Sequence, residues 1–103
     1  VDWITGADLE ARLGLGAGDP MAVQQAAAAC QLVRRRRSYT ADDVLGNDVA
    51  VIEGTLRWAA LLYQGVNAAA GFAEYDEFGN RTDGYGDAIS EIYRLVGSDP
   101  VVA

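Results

Sequence analysis

A chain of 103 residues is about one domain, and a domain of that size buries roughly two thirds of its unfolded surface, enough for one modest core. Fifteen acidic residues against eight basic ones, all eight of them arginine, give a formal net charge of -7, so the surface as a whole repels nucleic-acid phosphate. A lone cysteine, Cys30, excludes an internal disulfide, and no apolar run approaches the roughly 18 residues of a membrane span. The first residues lack the basic-then-apolar layout of a signal peptide, which leads to the expectation of a protein made without export.

The first predicted helix opens after Thr5. Asp8 follows three residues later as a capping-box partner, and Ile4 and Leu9 stand at the staple positions. Leu9 and Leu13 share a face, and Gly14 stops the helix. Asp19-Pro20, an N-cap followed by proline at the first helical position, opens a second helix predicted to run to about Arg37. Val23, Ala26, Ala27, Cys30 and Val33 recur on one side and form its expected buried face, with Cys30 as a small buried hydrophobe. The small residues let another helix approach closely.

Ser38 to Gly46 reads as a connector in which Thr40 and Asp43 repeat the capping spacing, predicting a short turn of helix. Asn47 or Asp48 then caps a helix running to about Asn67. Ile52, Thr55, Leu56, Ala59, Leu62, Tyr63 and Val66 form one apolar stripe along it, and Glu53, Arg57 and Gln64 a polar edge with Glu53 and Arg57 as an i,i+4 pair. A second ridge, Trp58 and Leu61 flanked by Gly54 and Gly65, points away from the first. Two readings stay open: the helix is central to the fold, or its second ridge meets a neighbouring subunit.

From Gly71 to Gly86 the stretch GFAEYDEFGNRTDGYG breaks the helical pattern with Phe72, Tyr75, Phe78 and Tyr85. Unstructured stretches beyond about 12 residues are uncommon inside compact domains and usually functional, and disordered linkers are poor in aromatics. The expectation is a projecting arm, a loop or short hairpin turning at Phe78-Gly79-Asn80-Arg81, that grips another protein. Asp87 is the expected cap of a last helix with Ile89, Ile92 and Val96 buried and Gly97 at its end. The tail, residues 98–103, carries Val101 and Val102 and is either a frayed end or a hook for a partner.

Catalysis has little to work with, since there is no histidine and no GxSxG, phosphate-loop or HExxH pattern. The expectation is a protein that is not an enzyme and needs no cofactor. Glu74, Asp76, Glu77 and Asp83 are the densest acidic group, but the calcium-loop spacing would put Phe78 at its third position and Arg81 at its sixth, so no metal site is expected.

The sharpest charge feature is Arg34-Arg35-Arg36-Arg37. Four consecutive helical residues sweep about 300° of the circumference, so they do not share one groove. One reading is a basic collar for the carboxylates of a neighbouring subunit, or for DNA. The other is cations complementing a helix C-terminus, their stems covering apolar surface. Arginine forms two-pronged pairs with carboxylates, so collar and acidic arm together suggest a head-to-tail interface that closes into a ring.

The order of these features resembles the head-to-tail connector, or adaptor, proteins of long-tailed bacteriophages. The resembling residues are the opening Thr5-Gly-Ala-Asp-Leu9-Glu-Ala-Arg-Leu13-Gly and the long helix ending in an arginine cluster before Ser38-Tyr39. The apolar helix with Trp58 and Tyr63, the aromatic excursion and the short closing helix Asp87 to Gly97 complete the likeness, which spans nearly the whole chain. It implies an all-α fold, a small four-helix bundle with a projecting loop before the last helix. It also implies a ring of many copies, twelve in the family, between the portal and the tail in the neck of the virion, assembled in the host cytoplasm. One ring face would meet the portal and the other the next tail-completion or tail-terminator protein. DNA would pass through without specific recognition, which an acidic wall favours.

On this reading the expected subunit or portal contacts are Arg34 to Arg37, Trp58, Leu61, Phe72, Tyr75, Phe78, Arg81, Tyr85, Val101 and Val102. The alternative is a small helical DNA-binding or DNA-packaging protein that uses Arg34 to Arg37 as a phosphate clamp. A third reading, an acidic mimic of nucleic acid, calls for acidic residues along one surface, whereas here they are spread over the chain.

Overall fold

The computed structural model describes residues 1–67 and 80–99. Their regular structure is helical, with no strand among the described residues: α1 Gly6–Leu13, α2 Pro20–Arg36, α3 Asp42–Leu45, α4 Val49–Asn67 and α5 Asn80–Val96. The all-α expectation holds.

Local chemistry sets the helix ends. The capping box forms at Thr5, whose side chain accepts from the Asp8 amide while the Asp8 carboxylate accepts from the Thr5 amide at 2.9 Å. Gly14 closes α1 in the left-handed conformation. Asp19 caps α2 by accepting from the Met21 amide at 2.9 Å, with Pro20 at the first position. Asp48 is the acceptor at the head of α4, from the amides of Ala50 and Val51. Gly97, at φ 75°, ends α5 with its amide on the Tyr93 carbonyl.

Two helix limits differ from expectation. The cap residue of α3 is Ala41, with no side-chain bond, because the Thr40 hydroxyl instead donates to Asp99 at 2.6 Å. The last helix begins at Asn80 and not after Asp87, so the predicted arm, residues 71–86, gives up its last seven residues to helical backbone. Tyr85 stands four residues before Ile89, in register with Ile92 and Val96, so the helical period already reaches past Gly86. The rest of that arm and the end of the tail, including Phe72, Tyr75, Phe78, Val101 and Val102, lie outside the described residues.

Helix α4 is the middle of the molecule, packing against both α2 and α5, while α1 lies against α2 and α4. The buried core includes Ile4, Leu9, Cys30, Val33, Leu45, Val51, Ala59 and Ile92. On α2 the buried positions are Ala22, Ala26, Ala29, Cys30 and Val33, whereas Val23 and Ala27 are exposed. The face is rotated from the expected one at its N-terminal half, since an alanine-rich helix is apolar on several sides and packing decides which side is covered.

Position 54 shows why α4 and α5 approach so closely. A Cβ there would stand 2.8 Å from the Val96 side chain and 3.0 Å from Leu95, so only glycine admits the crossing. The Trp58 part of the second ridge of α4 is therefore covered within the chain, while Leu61 is half-buried. Trp58 is buried, its ring edge-on to Tyr93 at 5.6 Å between centroids. Of the two readings left open for this ridge, the central helix is the observed one.

Candidate functional site

The arginine run ends α2, and its side chains leave in different directions. Arg34 forms a two-pronged pair with Asp42, its Nε 3.0 Å from one oxygen and its Nη2 2.9 Å from the other, and also meets Asp2 at 2.8 Å. Its guanidinium lies 4.9 Å from the Trp3 ring centroid. Arg36 donates to the Gly97 carbonyl at 2.9 Å and stacks over Tyr93 at 4.2 Å. Arg37 pairs with Asp99 at 3.0 Å and donates to the Val96 carbonyl at 2.6 Å.

Asp99 is the hub of this end, accepting also from the Tyr39 amide at 2.8 Å and from the Thr40 hydroxyl. Arg36 and Arg37 thus satisfy carbonyls of the last turn of α5, the groups a helix C-terminus leaves without partners. Arg35 is exposed, with no hydrogen bond or ion pair among the described residues. Three of the four expected collar residues are committed inside the chain. Trp58, expected at a contact, is core.

The second arginine system lies on the open face of α4. Glu53 takes both prongs of Arg12, at 2.7 and 2.5 Å, and the Nε of Arg57 at 2.8 Å. Beside it runs a groove of about 350 Å³ between the end of α1, α4 and α5. Leu13, Ala60, Leu61, Ala88 and Ile92 give it an apolar floor, and Arg12, Arg57, Gln64 and Glu91 a polar rim. Leu61 is half-buried here and is the one expected contact residue on α4 that faces such a groove. Arg81 and Tyr85 belong to the opening turns of α5, and their side chains lie outside the described part.

The carboxyl groups that depart from ordinary behaviour all do so downward. The guanidinium of Arg12, and then that of Arg57, hold the Glu53 carboxyl at about 2. The Tyr63 hydroxyl, donating at 2.6 Å, keeps Asp19 low, Arg34 does so for Asp42, and the Thr40 hydroxyl and Tyr39 amide for Asp99. These are carboxylates fixed in the charged form, the reverse of a poised general acid. Burial pushes the Cys30 thiol up, away from the reactive thiolate. Glu10, a buried carboxylate, accepts from the Asp19 amide at 2.7 Å and so braces the head of α2.

Large apolar side chains remain uncovered at one junction. Tyr39, Val44 and Val49, at 92, 56 and 79 % exposure, fall within eleven consecutive residues, 39–49, from the end of α2 to the first residue of α4. Sequence reasoning passed over this trio and over Arg12. The trio sits on no helical stripe, and Arg12 meets Glu53 only across 41 residues of chain. No protein-family model, curated protein or solved structure matches this chain.

Proposed function

We propose that this chain is a structural subunit whose function is its contacts: a head-to-tail connector of a tailed bacteriophage, built as a ring between portal and tail. The observation that carries the reading is the uncovered set Tyr39, Val44 and Val49 at the α2–α4 junction, on a chain whose depressed carboxyls Asp19, Asp42, Glu53 and Asp99 serve ion pairs and caps. Three large apolar side chains left uncovered within eleven consecutive residues are more than singly scattered exposure and offer material for a contact surface. In this reading the four longer helices are the bundle, and the aromatic stretch with Phe72, Tyr75 and Phe78 serves as the arm that meets a partner. The subunit is not an enzyme and carries no cofactor; its partners are copies of itself, the portal and the next tail-completion protein, with DNA passing through the ring.

A DNA clamp at Arg34 to Arg37 draws on less, because only Arg35 has its guanidinium free of partners among the described residues. The two readings separate by experiment. Mass measurement by light scattering, with negative-stain imaging, of the protein alone and mixed with portal is expected to give annular particles. Duplex binding that is tight and falls steeply as salt rises would instead favour the clamp.

A further inference from the structure

The acidic, aromatic stretch from Phe72 to Phe78 has no counterpart in the arginine run, whose guanidinia are largely engaged at home. The open face of α4 offers the complement. There the two guanidinia of Arg12 and Arg57 face the carboxylate of Glu53, and Glu91 on the rim is paired with Arg94, so these five groups together leave one net positive charge. Arg57 spends only its Nε on Glu53, so its two terminal nitrogens have no partner among the described residues. A guanidinium end of that kind takes a carboxylate with both prongs. The floor beside it is apolar through Leu13, Leu61 and Ile92, and the 350 Å³ volume falls at the lower end of pockets that hold organic groups. The stretch 72–78 interleaves Phe72, Tyr75 and Phe78 with Glu74, Asp76 and Glu77, rings for the floor and carboxylates for the rim.

We propose that this groove is the seat for the Phe72–Phe78 segment of a second copy of the chain. The inference rests on the ring reading and names its contact. Groove and segment are two different, complementary patches on one polypeptide, which is what a head-to-tail interface requires.

The test uses full-length variants of complementary kind. One carries R57E, with A60Q as a second version that blocks the floor without touching the ion pairs. The other carries F72A, Y75A and F78A together. Circular dichroism at 222 nm checks that each folds. At concentrations where the parent chain assembles, each variant alone is expected to lose at least about tenfold in association constant, as for loss of a charged contact worth more than 1.4 kcal/mol. Mixed one to one, the two kinds retain one intact groove and one intact segment per pair, so a species of two chains is expected and no ring. A groove variant that assembles like the parent, or a mixture that stays monomeric, overturns the proposal. A parent chain that is monomeric alone yet forms rings on the portal overturns it too, while leaving the connector reading standing.

Discussion

The end of the molecule where α2 stops and the open face of α4 are both built on arginine, and they use it in opposite ways. At the first, the Arg37 and Asp99 side chains are only 16 and 11 % exposed and sit among further donors and carbonyls. At the second, Arg12, Glu53 and Arg57 keep a third or more of their side-chain surface in water. A charge withdrawn from water is stabilised only when its partners are all in place, so the first system is a strut that fixes the tail of α5 to the α2–α3 connector. A charge left in water contributes little to folding and stays available for display. Residue type alone does not separate support from contact; burial and the number of partners do.

The largest expected effect tests the closed end. Trp58 lies edge-on to Tyr93, and Arg36 stacks over Tyr93 in turn, so the ring links α4, α5 and the end of α2. Trp58→Ala removes the widest side chain of that contact and is expected to cost about 3–5 kcal/mol in denaturant unfolding. Should the variant instead keep its stability and lose only self-association, the ridge would be a contact surface and the contrast between the two regions would collapse.

Next in size is Asp99→Ala. It deprives Arg37, Thr40 and the Tyr39 amide of their common acceptor, so the melting temperature should drop by less than in the Trp58 variant and by more than in any change at Glu53. Hydrogen exchange at the Tyr39 amide should quicken, since that amide bonds to the Asp99 side chain. The folded carboxyl is held low by the Thr40 hydroxyl and the Tyr39 amide, so its contribution is complete above the ordinary aspartate pKa. It is lost as pH falls through the folded value. The variant should therefore lack that part of the acid sensitivity of the parent chain.

What the sequence made legible is what a few neighbouring residues decide. Thr5 with Asp8, Asp19 with Pro20, Asp48, and the terminating Gly14 and Gly97 each act within four residues, and each end lies where its motif put it. Choices made by distant packing were not legible. Val23 and Ala27 were as apolar as Ala22 and Ala29, and only the position of the neighbouring helices selects between them. The arginine run showed its charge, but its acceptors are Asp2, Asp42, Val96, Gly97 and Asp99, and those near α5 lie some sixty residues away. The start of α5 was obscured by Gly84 and Gly86, weak helix formers in a stretch that also reads as an arm. For the open face, the Glu53–Arg57 spacing was read correctly, and Arg12, brought in by the packing of α1 on α4, was not.

The smallest effect on stability, and the sharpest on the comparison, belongs to Glu53→Gln. An exposed ion-pair set of this kind contributes about 0–1 kcal/mol, so the melting temperature of the variant should fall only slightly at neutral pH. The folded carboxyl is depressed from the ordinary 4.5 to about 2. Its contribution is complete above 4.5 and disappears as pH falls toward 2, so parent and variant should converge in stability over that window. Self-association should move the other way. Removing the Glu53 carboxylate leaves Arg12 and Arg57 unneutralised at the groove rim, the net charge of the set formed with the Glu91–Arg94 pair rises from one to two, and an acidic segment from a second copy should bind more tightly, most visibly at low salt. A rise in association beside a slight loss in stability would mark the open face as a contact surface. A fall in both would make the Arg12–Glu53–Arg57 set a strut like Arg37–Asp99, and the two regions would differ only in exposure.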